Sequence, residues 1–166
     1  MTDIATSDFA IRQLHARFID AVFRTDAEAF GQCFSLDGEW KIAGMHLRGR
    51  DEISQTFARL LGACQLVQIS SGPALLDVVD GAIVSRSNVT EFAKLVDGTG
   101  AITIGVYFDR YVEEDELWRF AARHWALHYR GPLAFPAELV DCPTYGPPPG
   151  MPGMDEPTFS RRNPAD

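Results

Sequence analysis

Cysteine is scarce in this sequence, and its spacing does not suggest a metal or redox centre. The three cysteines, Cys33, Cys64 and Cys142, are far apart, and no two of them form a CxxC pair. An odd number of dispersed cysteines is typical of reduced thiols inside the cell. We therefore expect a cytoplasmic protein without disulfides and without a metal site.

Clustered positive charge and long apolar runs are also missing. The longest basic run is Arg161-Arg162, and 23 acidic against 15 basic residues give a formal charge of −8. Nucleic acids and anionic membranes require clustered Lys and Arg, so we expect neither as a partner. No segment approaches the ~20 apolar residues of a transmembrane helix. The amino terminus does not show the basic and then apolar pattern of a signal peptide.

Sequence motifs of other catalytic classes are absent as well. There is no GxSxG nucleophile motif, and Gly98-Thr99-Gly100 lacks the other glycines of a dinucleotide-binding loop. His124 and His128 are four residues apart, which on a strand separates them by about 13 Å, too far to share one ion. We expect no cofactor.

Helical patterns occupy the first part of the chain. Apolar residues recur at helical spacing over residues 7–24, and Thr25-Asp26 offers an N-cap for a shorter second helix. The segment 36–38 predicts a turn, 39–42 alternates like a strand, and His46 would lie in the following loop. Gly49-Arg50 opens a third helix.

After Gly62 the pattern changes to strands. Four β regions are separated by the turns Asp80-Gly81, Asp97-Gly98 and 113–116. They comprise residues 66–79 (interrupted near 71–73), 82–96, 102–112 and 117–129. Helices followed by antiparallel strands predict an α+β domain over residues 1–131, with a Pro- and Gly-rich tail over 132–166.

Both faces of the predicted strands carry apolar residues, so we expect the sheet to be covered twice. Helices would cover one face, and a second copy of the chain would cover the other, as a homodimer. Arg86, Asn88 and Thr90 share one strand face. The pattern leaves open whether they line a pocket or a dimer interface.

Specific stretches resemble the SnoaL-like branch of the nuclear-transport-factor-2-like superfamily, which includes ketosteroid isomerases, scytalone dehydratase and polyketide cyclases. The resemblance covers roughly residues 7–131. It is carried by residues 17–22 with Asp26, Phe30 and Phe34, by 37–40 with Gly49-Arg50, Ile53 and Phe57, and by 105–111 with 117–120 and Arg123. It implies three N-terminal helices packed on a curved, mainly antiparallel sheet that encloses a cone-shaped cavity, the cystatin-like or ketosteroid-isomerase-like fold.

The same resemblance places Asp109 at the oxyanion-hole Asp of ketosteroid isomerases. The first-helix Tyr of those enzymes is replaced by Phe18, and their general base falls near Ile42. The first-helix Tyr-Asp pair of scytalone dehydratase maps onto Val22-Phe23. The His before its long hairpin is replaced by Val67 or Gln68.

Strand alternation places Tyr107 and Asp109 on one face, which the resemblance makes the cavity face. By the same argument Phe120, Ala122 and His124 point inward. Asp109, His124 and Asp20 are therefore the candidate catalytic residues, while Asp109 paired with His124 or an Arg for stability is the alternative. The candidate substrate-binding residues are Tyr107, Trp40, Phe18 and Phe120.

The sequence is consistent with two functions. One is a cofactor-free isomerase, dehydratase or cyclase that acts by acid/base chemistry on a polycyclic or aromatic compound. The other is a non-catalytic module that binds an apolar or aromatic small molecule. A purely structural dimerisation domain would have a filled core and no cavity.

Overall fold

The computed structural model describes residues 4–134 as three helices and seven strands. The helices are α1 (Ile4–Phe23), α2 (Ala27–Gln32) and α3 (Arg50–Leu61). The strands are β1 (Phe34–Ile42), β2 (Met45–Arg48), β3 (Cys64–Ser71), β4 (Leu75–Val79), β5 (Ala82–Leu95), β6 (Gly100–Glu114) and β7 (Leu117–Pro132). Most of the tail predicted over 132–166 lies outside the described residues.

The strands form one sheet in the order β2-β1-β7-β6-β5-β3, with β4 also paired to β5. All pairs are antiparallel except β1 with β7, which is parallel. The predicted α+β class, with N-terminal helices on a curved and mainly antiparallel sheet, is confirmed. No helix among residues 4–134 is long and apolar enough to cross a membrane.

Aromatic packing joins the helices to the sheet. Phe18 of α1 lies 4.8 Å, between ring centroids, from Phe30 of α2, and Phe30 stacks at 3.6 Å on Phe57 of α3. The α2 helix starts where its predicted N-cap lies, because the Asp26 side chain accepts a hydrogen bond from the Ala29 N–H. Burying large rings in this way is the main source of stability in a domain of this size.

The turn predicted at residues 36–38 is wrong. These residues belong to β1, and the register of β1 against β7 shifts between Phe34 and Glu39, so the chain bulges without leaving the sheet. Gly38 fits the bulge because a Cβ there would lie 3.0 Å from the Phe120 carbonyl oxygen. His46 lies in strand β2, not in a loop, and its Nε2 is 2.7 Å from Glu39 Oε2.

Strand β6 supplies the central row of the inner face, the face turned toward the helices. Thr103, Gly105, Tyr107, Asp109 and Tyr111 are buried on it, and the residues between them are half-buried or exposed. The β6–β7 pairing shifts register twice, near Ile104 and near Tyr111. Each shift is a bulge in β7. Beyond each bulge, the β7 residues that simple alternation would place on the inner face lie on the outer face, and the reverse.

Gly105 leaves room on the inner face for the indole of Trp125. A Cβ at Gly105 would lie 2.6 Å from the Trp125 ring and 2.5 Å from the Ala126 carbonyl oxygen. Trp125 also packs on Tyr107, with ring centroids 4.7 Å apart. Gly105 therefore sets the position of one wall of the fold's interior.

Replacing Gly105 with Ala should destabilise the protein by about 1–3 kcal/mol, because the added methyl group overpacks against backbone. Urea unfolding of both variants measures this. Gly72→Ala is the matched control, since its Cβ would approach only the Asn88 carbonyl oxygen, at 3.9 Å. Equal unfolding midpoints for the two variants would contradict the predicted clash.

Candidate functional site

A buried polar cluster lies at one end of the inner face. Asp109, with a fully buried side chain, lies between His15 of α1 and Arg123 of β7. The Tyr111 hydroxyl is 2.6 Å from His15 Nε2 and 2.5 Å from Ser85 Oγ, and it donates to Asp109 Oδ2 at 3.4 Å. His15 Nε2 is 3.7 Å from the same carboxylate oxygen. The cluster thus joins helix α1 to three neighbouring strands.

Arg123 completes the cluster in an aromatic setting. Its guanidinium carbon lies 3.8 Å from the centroid of Tyr107 and 4.2 Å from those of Phe18 and Phe120. Arg123 Nε is 3.6 Å from Asp109 Oδ1, and neither atom has a hydrogen-bond partner among the described residues. The charge pair is held by Coulomb attraction and cation–π contacts rather than by a direct hydrogen bond.

Burial displaces the pKa values of this cluster. Desolvation raises the pKa of Asp109 to about 6, although the positive charge of Arg123 acts in the opposite direction. Burial, and then Arg123, lower the pKa of His15 to about 3, so the imidazole is neutral at pH 7. Desolvation also raises the pKa of Tyr111, which stays protonated.

An apolar cavity of about 340 Å³ lies between the helices and the sheet, and we call it the helix cavity. A second cavity of about 410 Å³, the sheet cavity, is lined by strand residues and by the turn after β1. Five residues line both cavities: Ile42, Ala43, Glu91, Tyr107 and Arg130. The two cavities therefore meet at Glu91, Tyr107 and Arg130. Their presence disagrees with a filled-core structural domain.

Glu91 is the carboxyl group that lines both cavities. It lies on the inner face of β5, paired across the sheet with Thr103, which is paired in turn with Arg130. Desolvation raises the pKa of Glu91, while the positive charge of Arg130 counteracts part of the rise. Burial likewise raises the pKa of Tyr107 to about 12, so its hydroxyl is available as a hydrogen-bond donor.

The predicted substrate-binding residues divide into two groups. Phe18, Trp40 and Tyr107 line the helix cavity, as expected. Phe120 does not line it and instead packs between His15, Phe18, Phe34 and Tyr111. Asp109 lies on the inner face, as predicted, but it lines neither of the two cavities.

The predicted inward orientation of His124 is wrong. Simple alternation from Phe120 would place it inward, but the bulge near Ala121 shifts the register by one residue. Arg123 is consequently paired with Asp109 on the inner face, while His124 is paired with Phe108 on the outer face and is exposed. Ala122 is displaced to the outer face by the same bulge.

Asp20 is not brought to the Asp109 cluster by any of the described contacts. Its carboxylate accepts a hydrogen bond of 2.8 Å from Arg24 Nε, one turn along α1. Arg86 and Asn88 are exposed, and Thr90 is half-buried and alternates with the inner-face residues Val89 and Glu91. None of the three lines the helix cavity or the sheet cavity, while Asn88 and Thr90 line a separate concavity of about 470 Å³ on the outer face.

Sequence reasoning missed Glu91 and His15, and it allowed an Arg beside Asp109 without identifying it as Arg123. The sequence pattern could have indicated Glu91, because it alternates with Val89 and Ala93 and is the charged residue on an otherwise uncharged face of its strand. His15 lies one helical turn before Phe18, toward the sheet, which its spacing alone could suggest. Arg123 carried no such signal, since a bulge cannot be located from alternation.

The geometry defines a small α+β protein with two adjoining cavities on the inner face of its sheet. A family model described as a SnoaL-like domain matches residues 4–124, and the chain belongs to that family. Its fold is that of the nuclear-transport-factor-2-like superfamily, as predicted. No curated protein matches the chain at a significant level.

Solved structures show the same fold at low sequence identity. A hexachlorocyclohexane dehydrochlorinase of Novosphingobium barchaimii is 18% identical, with a TM-score of 0.72 over 83% of this chain and 97% of that one. A protein named provisionally as a scytalone dehydratase, from Novosphingobium aromaticivorans, is 20% identical, with a TM-score of 0.71 over 82% and 95%. A nuclear-transport-factor-2-like protein of Salmonella enterica is 17% identical, with a TM-score of 0.69 over 75% and 93%. At these identities the likeness establishes the fold alone.

The displaced pKa values predict opposing pH dependences of stability. The pKa of His15 is lower in the folded than in the unfolded state, so its contribution to stability increases with pH from about 3 to 6.5. The pKa of Asp109 is higher in the folded state, so its contribution decreases as pH rises from 3.8 to about 6. Each slope is limited to about 1.4 kcal/mol per pH unit.

Between pH 4 and 6 the two slopes should largely cancel in the wild type. His15→Gln should therefore lose stability as the pH rises over this interval, whereas Asp109→Asn should gain it. Denaturant titrations at several pH values measure both trends. If Asp109→Asn is too unstable to study, His15→Gln alone decides, and a curve parallel to the wild type would contradict the assignment.

Proposed function

We propose that this protein binds a mid-sized apolar or aromatic molecule in the helix cavity and acts on it as a cofactor-free isomerase, dehydratase or cyclase. The observation that supports this most directly is an apolar cavity between the helices and the sheet that is lined by only a few polar groups. Phe18, Trp40 and Tyr107 offer ring surfaces to a ligand. Glu91 and the Tyr107 hydroxyl offer proton-transfer and hydrogen-bonding groups.

The observed arrangement also favours a second candidate, a non-catalytic carrier. Asp109 and His15, which would be the natural acid/base pair, line neither cavity and are engaged with Arg123 and Tyr111. A carrier needs only the apolar surface and one polar anchor. The two candidates bind the same kind of ligand and differ in whether the bound molecule reacts.

Ligand binding can be tested with a panel of steroids, polycyclic phenols and hydroxylated aromatics. A compound at about 100 times its dissociation constant should stabilise the folded state by ~2.7 kcal/mol, measured as a higher unfolding temperature. Ala63→Trp should weaken the effect, because Ala63 is an exposed residue that lines the helix cavity. A bulky ring there would occupy space that the ligand needs.

Ala58→Trp is the matched control, since Ala58 is exposed on α3 and does not line the helix cavity. It should keep the full ligand-induced stabilisation. Equal stabilisation of the Ala63→Trp and Ala58→Trp variants would place the binding site elsewhere. Chemical conversion of a stabilising compound, followed by mass spectrometry, would favour the enzyme over the carrier.

We also propose that the outer face of the sheet forms a homodimer. Its central strands expose large apolar side chains, among them Ile104, Phe108 and Tyr129. Phe108 is 48% exposed at the centre of this face and is paired with His124. Apolar side chains grouped on one sheet face are typical of a protein–protein interface.

Phe108→Lys should convert the dimer to a monomer, because it places a charge in the apolar part of the interface. Sedimentation velocity measures the change in mass. Leu36→Lys serves as the control. Leu36 is a highly exposed apolar residue on β1, which lies next to the edge strand β2 and away from the central strands. A wild type that sediments as a monomer would contradict the proposal.

A further inference from the structure

Where the two cavities meet lies the carboxyl-bearing residue Glu91, which the fold does not hold by a direct contact among residues 4–134. Among the described residues, no hydrogen bond or ion pair engages the Glu91 carboxylate. The carboxylates of Asp20 and Asp109 differ in this respect, since each lies against an arginine, at 2.8 Å and 3.6 Å respectively. A partly buried carboxylate that is not used by the fold is free to interact with a ligand.

The position of Glu91 within the interior is also suited to contact with a ligand. It lines the helix cavity together with apolar side chains such as Phe18 and Val67. It lines the sheet cavity together with Trp125 and Leu127. A molecule in either cavity can therefore reach Glu91, whereas Asp109 lines neither space.

We propose that Glu91 is the proton-transfer residue of this site and that it removes a proton from a carbon atom of a bound ring compound. This inference rests on the proposed function, because it requires a ligand in the cavity. A carboxylate in apolar surroundings is a stronger base than one in water, since burial disfavours its charged form. The raised pKa of Glu91 agrees with such surroundings.

Arg130 has a supporting role in this arrangement. It lines both cavities beside Glu91, and its charge favours the ionised carboxylate. The same charge can stabilise negative charge that develops on the substrate when the proton leaves. The substrate class is therefore a mid-sized, largely apolar ring compound with an acidic C–H bond and a group that can accept the resulting electron pair.

A probe reaction tests this assignment without knowledge of the natural substrate. In 5-nitrobenzisoxazole a base removes the proton on C3, the C–H electron pair forms the nitrile, and the N–O bond breaks to give a coloured phenolate. The reaction is an isomerisation that needs no co-reactant. After the step the proton is on Glu91 and is then released to water.

Wild-type protein should catalyse this elimination, and Glu91→Gln should reduce kcat by about 100-fold or more, as expected for loss of a general base. Glu91→Asp should retain part of the rate. The wild-type rate should rise with pH through the pKa of Glu91, above its ordinary value of 4.5. Arg130→Met should move that midpoint to higher pH, a change that a purely structural role would not produce.

Glu28→Gln is the control, because Glu28 is an exposed residue in the first turn of α2. It should keep the wild-type rate and pH profile. If the probe raises the unfolding temperature but its elimination is absent, or is equally fast in Glu91→Gln, the role of Glu91 is overturned while ligand binding stands. If neither the probe nor the ligand panel stabilises the protein, the proposed function itself fails.

Discussion

The guanidinium of Arg123 lies against three aromatic rings and beside the carboxylate of Asp109, and these contacts hold helix α1 on the sheet. Phe18 belongs to α1, Tyr107 to β6 and Phe120 to β7, so one side chain connects three elements. Cation–π contacts that are shielded from water contribute up to about 2 kcal/mol each. Removing one member of a buried charge pair typically costs about 3–5 kcal/mol, because the other is left unpaired.

This contact also divides the interior into two regions. On one side Asp109, His15, Tyr111 and Ser85 form a buried polar cluster centred on the Tyr111 hydroxyl. On the other side the space between the helices and the sheet stays open, with Glu91 at the junction of its two parts. A side chain already engaged by the fold is less available for a ligand, so burial and pairing separate supporting residues from candidate functional ones.

The fold of this superfamily hosts different chemistries in the same interior, so the fold does not define the reaction. The first helix presents Phe18 to the interior, where it packs on Arg123. Its ring adds to the apolar wall of the helix cavity and donates no hydrogen bond. The proposal that Glu91 transfers the proton rests on its position at the junction of the two cavities.

The sequence by itself determined the class of fold, the three helices and most of the strands. Helical spacing, the Asp26 cap and the paired turns are local features, and local features can be predicted from short stretches. Alternation along one uninterrupted strand grouped Asp109 with Tyr107. The resemblance to the SnoaL-like family then identified that face as the inner one.

Only the tertiary structure decided which residues meet. A single bulge in β7 exchanged His124 for Arg123 opposite Asp109, and bulges leave no periodic signal in a sequence. The parallel pairing of β1 with β7, and the approach of His15 to Tyr111 across 96 residues, depend on contacts between distant segments. The burial that shifts the pKa values of Asp109, His15 and Glu91 arises only when those segments pack together.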